Sequence, residues 1–190
     1  MLTDRPPPDA TRLAAFLASD RCGTLEVPPD DRLRTPAMAI DAAMQHGTRA
    51  AVRHACAVFL TVASDFYRVP RPEVRILAAR PRRVREGGGA IELFGDYTPA
   101  SMLIRVWMRT AVRQTVTSFG TLFSTLCHEF CHHLDCQRFG ICDSPHTRGF
   151  YARTAALYHH ARGTPPKRLC WIRMPAGRWR IDWRRTNRGS

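Results

Sequence analysis

The sequence predicts an α+β domain. Three observations carry that prediction: an Ala-rich helical stretch over residues 36–67, three stretches of two-residue periodicity between Pro70 and Arg109, and an amphipathic helix from Val116 through Leu134. At 190 residues the chain holds one domain with a hydrophobic core and room for a small appendage. Its 44% apolar and 24% charged residues are ordinary globular values, which exclude an intrinsically disordered chain.

Residues 1–9, with Pro6-Pro7-Pro8, read as a loose start, followed by a short helix from Asp9 to about Ser19 and a Pro-containing loop to Thr35. The helical stretch 36–67 is interrupted near Gly47, and "VRHACAVFLTVASDFY" is expected to bury Val52, Val58, Phe59, Val62 and Phe66. His46 and His54 fall in this scaffold and read as satisfied side chains rather than ligands. "EVRILA" (73–78), "AIELFGDY" (90–97) and "MLIRVWM" (102–108) are rich in β-branched, aromatic or Leu residues between turn signals and read as three strands. "ARPRRVREGGG" joins the first two as a solvated hairpin tip, with contact to a polyanion as the alternative, and "DYTPAS" supplies the next turn.

In the helix from Val116, apolar Phe119, Leu122, Phe123, Leu126, Phe130 and Leu134 repeat at helical spacing. The same helix holds "TLCHEFCHHLDC", residues 125–136, with three His, three Cys, one Glu and one Asp. Residues four apart on a helix lie about 5–6 Å from one another. His128 and His132 therefore aim at one point, a gap that suits Zn²⁺ with Zn–N near about 2.0–2.1 Å. Glu129 projects about 100° around the helix, beside the metal rather than on it, where a carboxylate takes a proton from a zinc-bound water. This is the His-Glu-x-x-His pattern of zinc peptidases.

A catalytic zinc needs a third protein ligand. No Glu follows Glu129, which excludes the gluzincin arrangement, and Asp135 and Arg138 occupy the places where a metzincin has Gly and His. The downstream candidates are Asp135, Asp143, His146, His159, His160 and the nearby cysteines. His146 is preferred, because Ser144 reads as an N-cap and Pro145 as a first helical residue, which puts His146 in the first turn of a new helix after the chain turns back at Gly140. Asp135 is then expected to hydrogen-bond a ligand His. Cys127, Cys131, Cys136 and Cys142 offer a soft-metal site, with small buried thiols as the simpler reading.

The succession "GDYTPASMLIRV", "HEFCH" and "SPHTRGFYAR" resembles the SprT-like zinc metallopeptidases over roughly residues 36–162. The resemblance implies a zincin-like α+β fold: a small sheet of three or more strands, N-terminal helices, an active-site helix, and a following helix carrying the third ligand. It also implies Zn²⁺ bound by His128, His132 and His146, Glu129 as catalytic acid/base, and peptidase activity. The second motif reads His146-Thr-Arg-Gly-Phe150 instead of the family's more usual His-Gly-x-x-Phe, and the paired Cys-x-x-Cys motifs of a C-terminal zinc ribbon are missing. Some members act on proteins crosslinked to DNA. The implied division is an N-terminal extension (1–35), a metallopeptidase domain (36–162) and a basic, Trp-rich C-terminal hairpin or tail (163–190).

In that last segment "LCWIRM" and "RWRIDW" flank Pro175-Ala176-Gly177, and Trp179, Ile181 and Trp183 alternate with Arg180, Asp182 and Arg184, which predicts a hairpin with its apolar face on the domain. The net charge of +13 points to an anionic partner, nucleic acid first among them. The expected partners are a protein or peptide substrate and, through the basic surface, nucleic acid; no membrane is expected, because no run approaches about 18 apolar residues. Seven cysteines without an export signal suggest reduced thiols and a cytoplasmic or nucleoid-associated protein. The expected function is metal-assisted peptide hydrolysis, with substrate added as a strand along residues 102–108 and a transition-state donor drawn from Tyr151, Tyr158, His159 and His160. The competing readings are a nucleic-acid-binding protein with a structural zinc and an inactive zincin-fold adaptor.

Overall fold

The computed structural model describes residues 1–84 and 90–189, with the side chains of His46 and of residues 82–84, 90 and 91 outside the description. The basic loop read as a hairpin tip lies outside the described residues from 85 to 89.

Caps set the N-terminal helices. In α1 (Ala10–Arg21) the Asp9 carboxylate accepts from the Arg12 amide at 2.8 Å. Helix α2 (Arg34–His46) stops at Gly47, whose φ of 73° suits the left-handed turn, and the Thr48 hydroxyl then caps α3 (Arg49–Tyr67) by accepting from the Ala51 amide. The break expected near Gly47 is there. Helix α3 buries Val52, Cys56, Phe59, Leu60 and Ala63. Val58, expected inside, is 40% exposed, because it stands a quarter turn and more away from the Cys56–Phe59 stripe; Val62 and Phe66 are half-buried.

The strands are β1 (Glu73–Ala79), β2 (Arg82–Val84), β3 (Ala90–Glu92), β4 (Gly95–Thr98) and β5 (Leu103–Arg109). A three-stranded sheet runs in the order β1-β5-β4, with β1 parallel to β5 and β4 antiparallel to it. Two expectations change here. The single strand expected over 90–97 is two: β3 pairs with β2 in a separate hairpin, while β4 joins the sheet. Buried Arg80 holds the division, donating to Glu92 Oε2 (3.2 Å) and Thr117 Oγ1 (2.9 Å) with its guanidinium 3.8 Å from the Phe94 ring centre. Residues 102–108, expected at the sheet edge, form the central strand instead, with β1 and β4 as the two edges; β5 is apolar enough to be covered on both flanks, whereas short β4 with Asp96 and Thr98 is not.

Helix α4 (Phe119–Gln137) lies across the sheet and against α2, α3 and α5 (Arg148–Arg162). It starts three residues later than the periodicity suggests, since Val116 and Thr117 still pair with Arg109 and Met108, and Ser118 provides the cap. Its Leu122, Phe123, Leu126, Phe130 and Leu134 enter one core with Val74 and Ile76 of β1, Ile104 and Val106 of β5, and Phe150 and Leu157 of α5. Helix α5 is capped by Thr147, not Ser144, so His146 precedes the helix rather than riding on its first turn. Ser144 has φ of 34° and puts its hydroxyl to a different use.

The C-terminal hairpin is present as β6 (Trp171–Arg173) and β7 (Trp179–Ile181). Ile181 is buried and Trp171 packs on Tyr151, but Trp183 is 45% exposed because the strand ends at Asp182, which caps the single turn α6 (Trp183–Thr186). Residues 1–4 are not loose. Leu2 bridges Arg180 in antiparallel fashion, the Thr3 amide donates to Trp179 O (2.8 Å), and the Ile181 amide donates to Met1 O (3.1 Å), so this arm extends the hairpin. Among the described residues no helix is long and apolar enough to cross a membrane.

Candidate metal centre

The turn-to-turn spacing on α4 brings His128 Nε2 and His132 Nε2 to 3.2 Å, and the segment before α5 delivers His146 Nε2 to 2.9 Å from His128 Nε2. Bonds of about 2.0–2.1 Å in a tetrahedron place ligand nitrogens about 3.3–3.4 Å apart. The three histidines thus lie close enough to bind one metal ion, their ligand atoms all falling within 4.8 Å of one another, and no other described His, Cys, Asp or Glu joins them.

Hydrogen bonds set the imidazole tautomers. Ser144 Oγ lies 2.6 Å from His132 Nδ1 and 2.9 Å from Asp135 Oδ2. A carboxylate only accepts, so Ser144 donates to Asp135 and accepts from His132 Nδ1–H, which leaves a bare lone pair at His132 Nε2. Asp135 is fully buried and also receives Arg153 Nη2 at 2.7 Å. Arg153, itself buried, donates onward to the carbonyls of Ser19 in the last turn of α1 and of Cys22, its C-cap. Burial raises the Asp135 carboxyl above its ordinary value, against the opposing pull of Arg153 and Ser144. Asp135 thus reaches His132 through one hydroxyl rather than directly.

His146 has a different partner. Its backbone N–H donates to Asp4 Oδ2 at 2.8 Å, and its ring Nδ1 lies 3.3 Å from the same oxygen. Burial raises the Asp4 carboxyl, but the hydrogen bonds and charge of His146 outweigh it and leave the group below its usual value. The Phe150 ring underlies all three imidazoles, with centroids 4.9, 4.5 and 5.2 Å from His128, His132 and His146. Burial, then the neighbouring imidazoles, lower His128 to about 3 and His132 to about 2, so both are neutral electron-pair donors at neutral pH. His133, the third histidine of the motif, faces away: its Nε2–H donates to Pro70 O (2.8 Å) and its Nδ1 accepts from Tyr97 (2.9 Å).

Glu129 is 5% exposed and lies against β4. A Cβ on Gly95 would fall 2.5 Å from Thr125 Cγ2 and 2.9 Å from Glu129 Oε1, so the glycine is what lets the carboxylate sit against the strand. Burial, followed by the charge of Asp96, pushes Glu129 up to about 8. Glu129, His128, His132 and His146 share a cleft of about 1020 Å³ whose wall includes Phe94, Gly95, Asp96 and Tyr97 of the sheet edge.

Of the four candidate donors only Tyr151 lines this cleft, and its hydroxyl donates to Leu2 O at 3.0 Å. Tyr158 and His159 line a smaller neighbouring cavity of about 420 Å³, and His160 lines neither. Cys127 and Cys131 are buried in the core with burial raising both thiols, while Cys136 and Cys142 stand on the cleft wall, the Cys136 thiol donating to Cys142 O at 3.3 Å. The sequence singles out none of Asp4, Arg153 and Gly95, and it offers Ser144 as an N-cap rather than as the bridge between His132 and Asp135. A glycine inside a strand pattern is a legible sign of close backbone approach; nothing local in "LTDR" marks Asp4. No family model, curated protein or solved structure matches the chain.

Proposed function

We propose that the chain is a zinc-dependent peptidase of the SprT-like, zincin type, acting on protein or peptide substrates. The observation that carries this reading is the convergence of three imidazole Nε2 atoms with a buried carboxylate, Glu129, in one cleft bordered by a strand edge that is unpaired among the described residues. His128, His132 and His146 would hold the ion. A zinc ion so held supplies Lewis acidity toward a carbonyl oxygen and lowers the pKa of water.

The chain's own residues supply the rest. Glu129, whose carboxyl burial pushes up to about 8 in the metal-free chain, would be drawn back to its ionised form by a bound dication and is then suited to take a proton and return it to a leaving amine. The free edge of β4 offers main-chain donors and acceptors to an extended peptide, with Phe94 and Tyr97 beside it. Three ligands and an open cleft favour catalysis over a structural zinc, which closes its shell with four protein ligands. The seven unpaired cysteines fit a reducing, cytoplasmic setting. Residues 163–190 carry eight Arg or Lys against Asp182 alone, and no described ion pair involves them, which favours a nucleic-acid contact beside the peptidase site.

The test is a pair of variants assayed on an unfolded protein substrate. Glu129→Gln should keep one zinc per chain and lose proteolysis by about 10²–10⁴-fold, whereas His146→Ala should lose the zinc as well. Undiminished cleavage by Glu129→Gln refutes the mechanism.

A further inference from the structure

Asp4 and His146 are 142 positions apart, yet they are joined in both directions: the Asp4 amide donates to His146 O at 2.9 Å, and the His146 amide donates to Asp4 Oδ2 at 2.8 Å. The same carboxylate oxygen is 3.3 Å from His146 Nδ1. That oxygen only accepts, so it favours the tautomer with the proton on Nδ1 and the lone pair on Nε2, the atom that points at His128. His146 needs such a partner more than its fellow ligands do. His128 and His132 are carried by the rigid α4, whereas His146 sits outside α5, ahead of the Thr147 cap. The arm that bears Asp4 is itself anchored by Thr3 to Trp179 of β7, in both directions, and by Leu2 O to the Tyr151 hydroxyl.

We infer that Asp4 is a positioning residue for the metal centre: the N-terminal arm, docked on the C-terminal hairpin, orients His146 and fixes its tautomer as the third ligand. The inference rests on the metal-centre reading above. A carboxylate behind a ligand imidazole raises ligand basicity and holds the ring in place, and losing such a partner typically weakens metal binding by about 10–100-fold. Asp4 itself stays off the metal. Its carboxylate belongs to the half-exposed rim, and the ligand cluster does not include it.

The experiment measures zinc affinity by competition with a chromophoric chelator for the whole chain and for Asp4→Asn, Asp4→Ala and Asp41→Asn, the last a half-exposed carboxylate on α2 that does not line the cleft. It is paired with the visible spectrum of each protein loaded with Co²⁺. Asp4→Asn should bind zinc about 10-fold more weakly and Asp4→Ala up to about 100-fold, both with an altered Co²⁺ spectrum, and Asp41→Asn should match wild type. Asp4→Asn keeps an acceptor for the His146 amide, so it reads the ring contact even where Asp4→Ala does not fold. A lower melting temperature with unchanged zinc affinity and an unchanged Co²⁺ spectrum would make Asp4 a structural anchor only and overturn the inference. Wild-type protein that takes up no metal would overturn the metal centre itself, and this inference with it; tight binding by wild type and both Asp4 variants alike overturns the inference alone.

Discussion

Glu129 illustrates how one side chain couples fold stability to chemistry. Its carboxyl is pushed up to about 8 by burial and then by Asp96, against about 4.3 in an unfolded chain. Between those values the metal-free folded state holds more protons than the unfolded one, so this group makes stability fall as pH rises. Glu129→Gln removes that dependence. In denaturant titrations of metal-free protein, the variant should exceed wild type by on the order of 1–3 kcal/mol near pH 8 and lose that advantage near pH 4. An equal difference at both pH values would show that Glu129 is not desolvated in the fold. His128 and His132 act in the opposite sense, since burial holds them neutral and their stabilising share is lost as pH falls below about 6.5. They are common to both proteins and cancel in the comparison. The His-Glu-x-x-His spacing was readable because it is local to one helix. The tautomers of His132 and His146 were not, because they depend on Ser144 and Asp4, which approach from other segments.

Helices α1 and α5 meet where the segment before α5 must hold His146 in place. A Cβ on Gly149 would fall 2.0 Å from Ser19 O and 2.8 Å from Cys22 O, backbone atoms that cannot move aside without parting the helices. Nearby, Thr147 Oγ1 pairs with Ser19 Oγ at 2.9 Å and Arg153 grips the same end of α1. The glycine of the "HTRGF" motif therefore serves helix packing, and Phe150 beside it supplies the floor under the imidazoles. Gly149→Ala should lower stability by about 1–3 kcal/mol, the usual cost of overpacking, and, if the proposed zinc site is right, weaken zinc uptake with it; calorimetry and chelator competition read the two effects. A substitution that left both unchanged would mean the α1–α5 contact is looser than described. The later start of α5 carries a related lesson. "SPH" has the residue types of a cap followed by a first helical turn, but Ser144 is drawn into the His132–Asp135 bridge, and Thr147 becomes the cap.

Across the whole molecule the two termini come together behind the three-histidine cluster, and charge is distributed unevenly over the result. The hairpin and α6 expose Arg173, Arg180 and Arg184 together with Trp183. Replacing those three arginines by Gln should weaken binding of a labelled oligonucleotide and flatten its salt dependence, by about 0.7–0.9 in log–log slope for each phosphate no longer neutralised; binding that does not respond to salt would remove nucleic acid as a partner of this face. By itself the sequence determined the α+β class, the helices over 36–67, the motif helix, the C-terminal hairpin and the His128–Glu129–His132 constellation, because each follows from spacing within a single element. Tertiary structure alone decided that β5 is central and β4 an edge, that 90–97 divides between two sheets, that Asp4 stands behind His146, and that Gly95 admits Glu129. These rest on which segments pack together. Periodicity along a chain records which face of an element is buried, but not which neighbour, often more than a hundred residues away, comes to cover it.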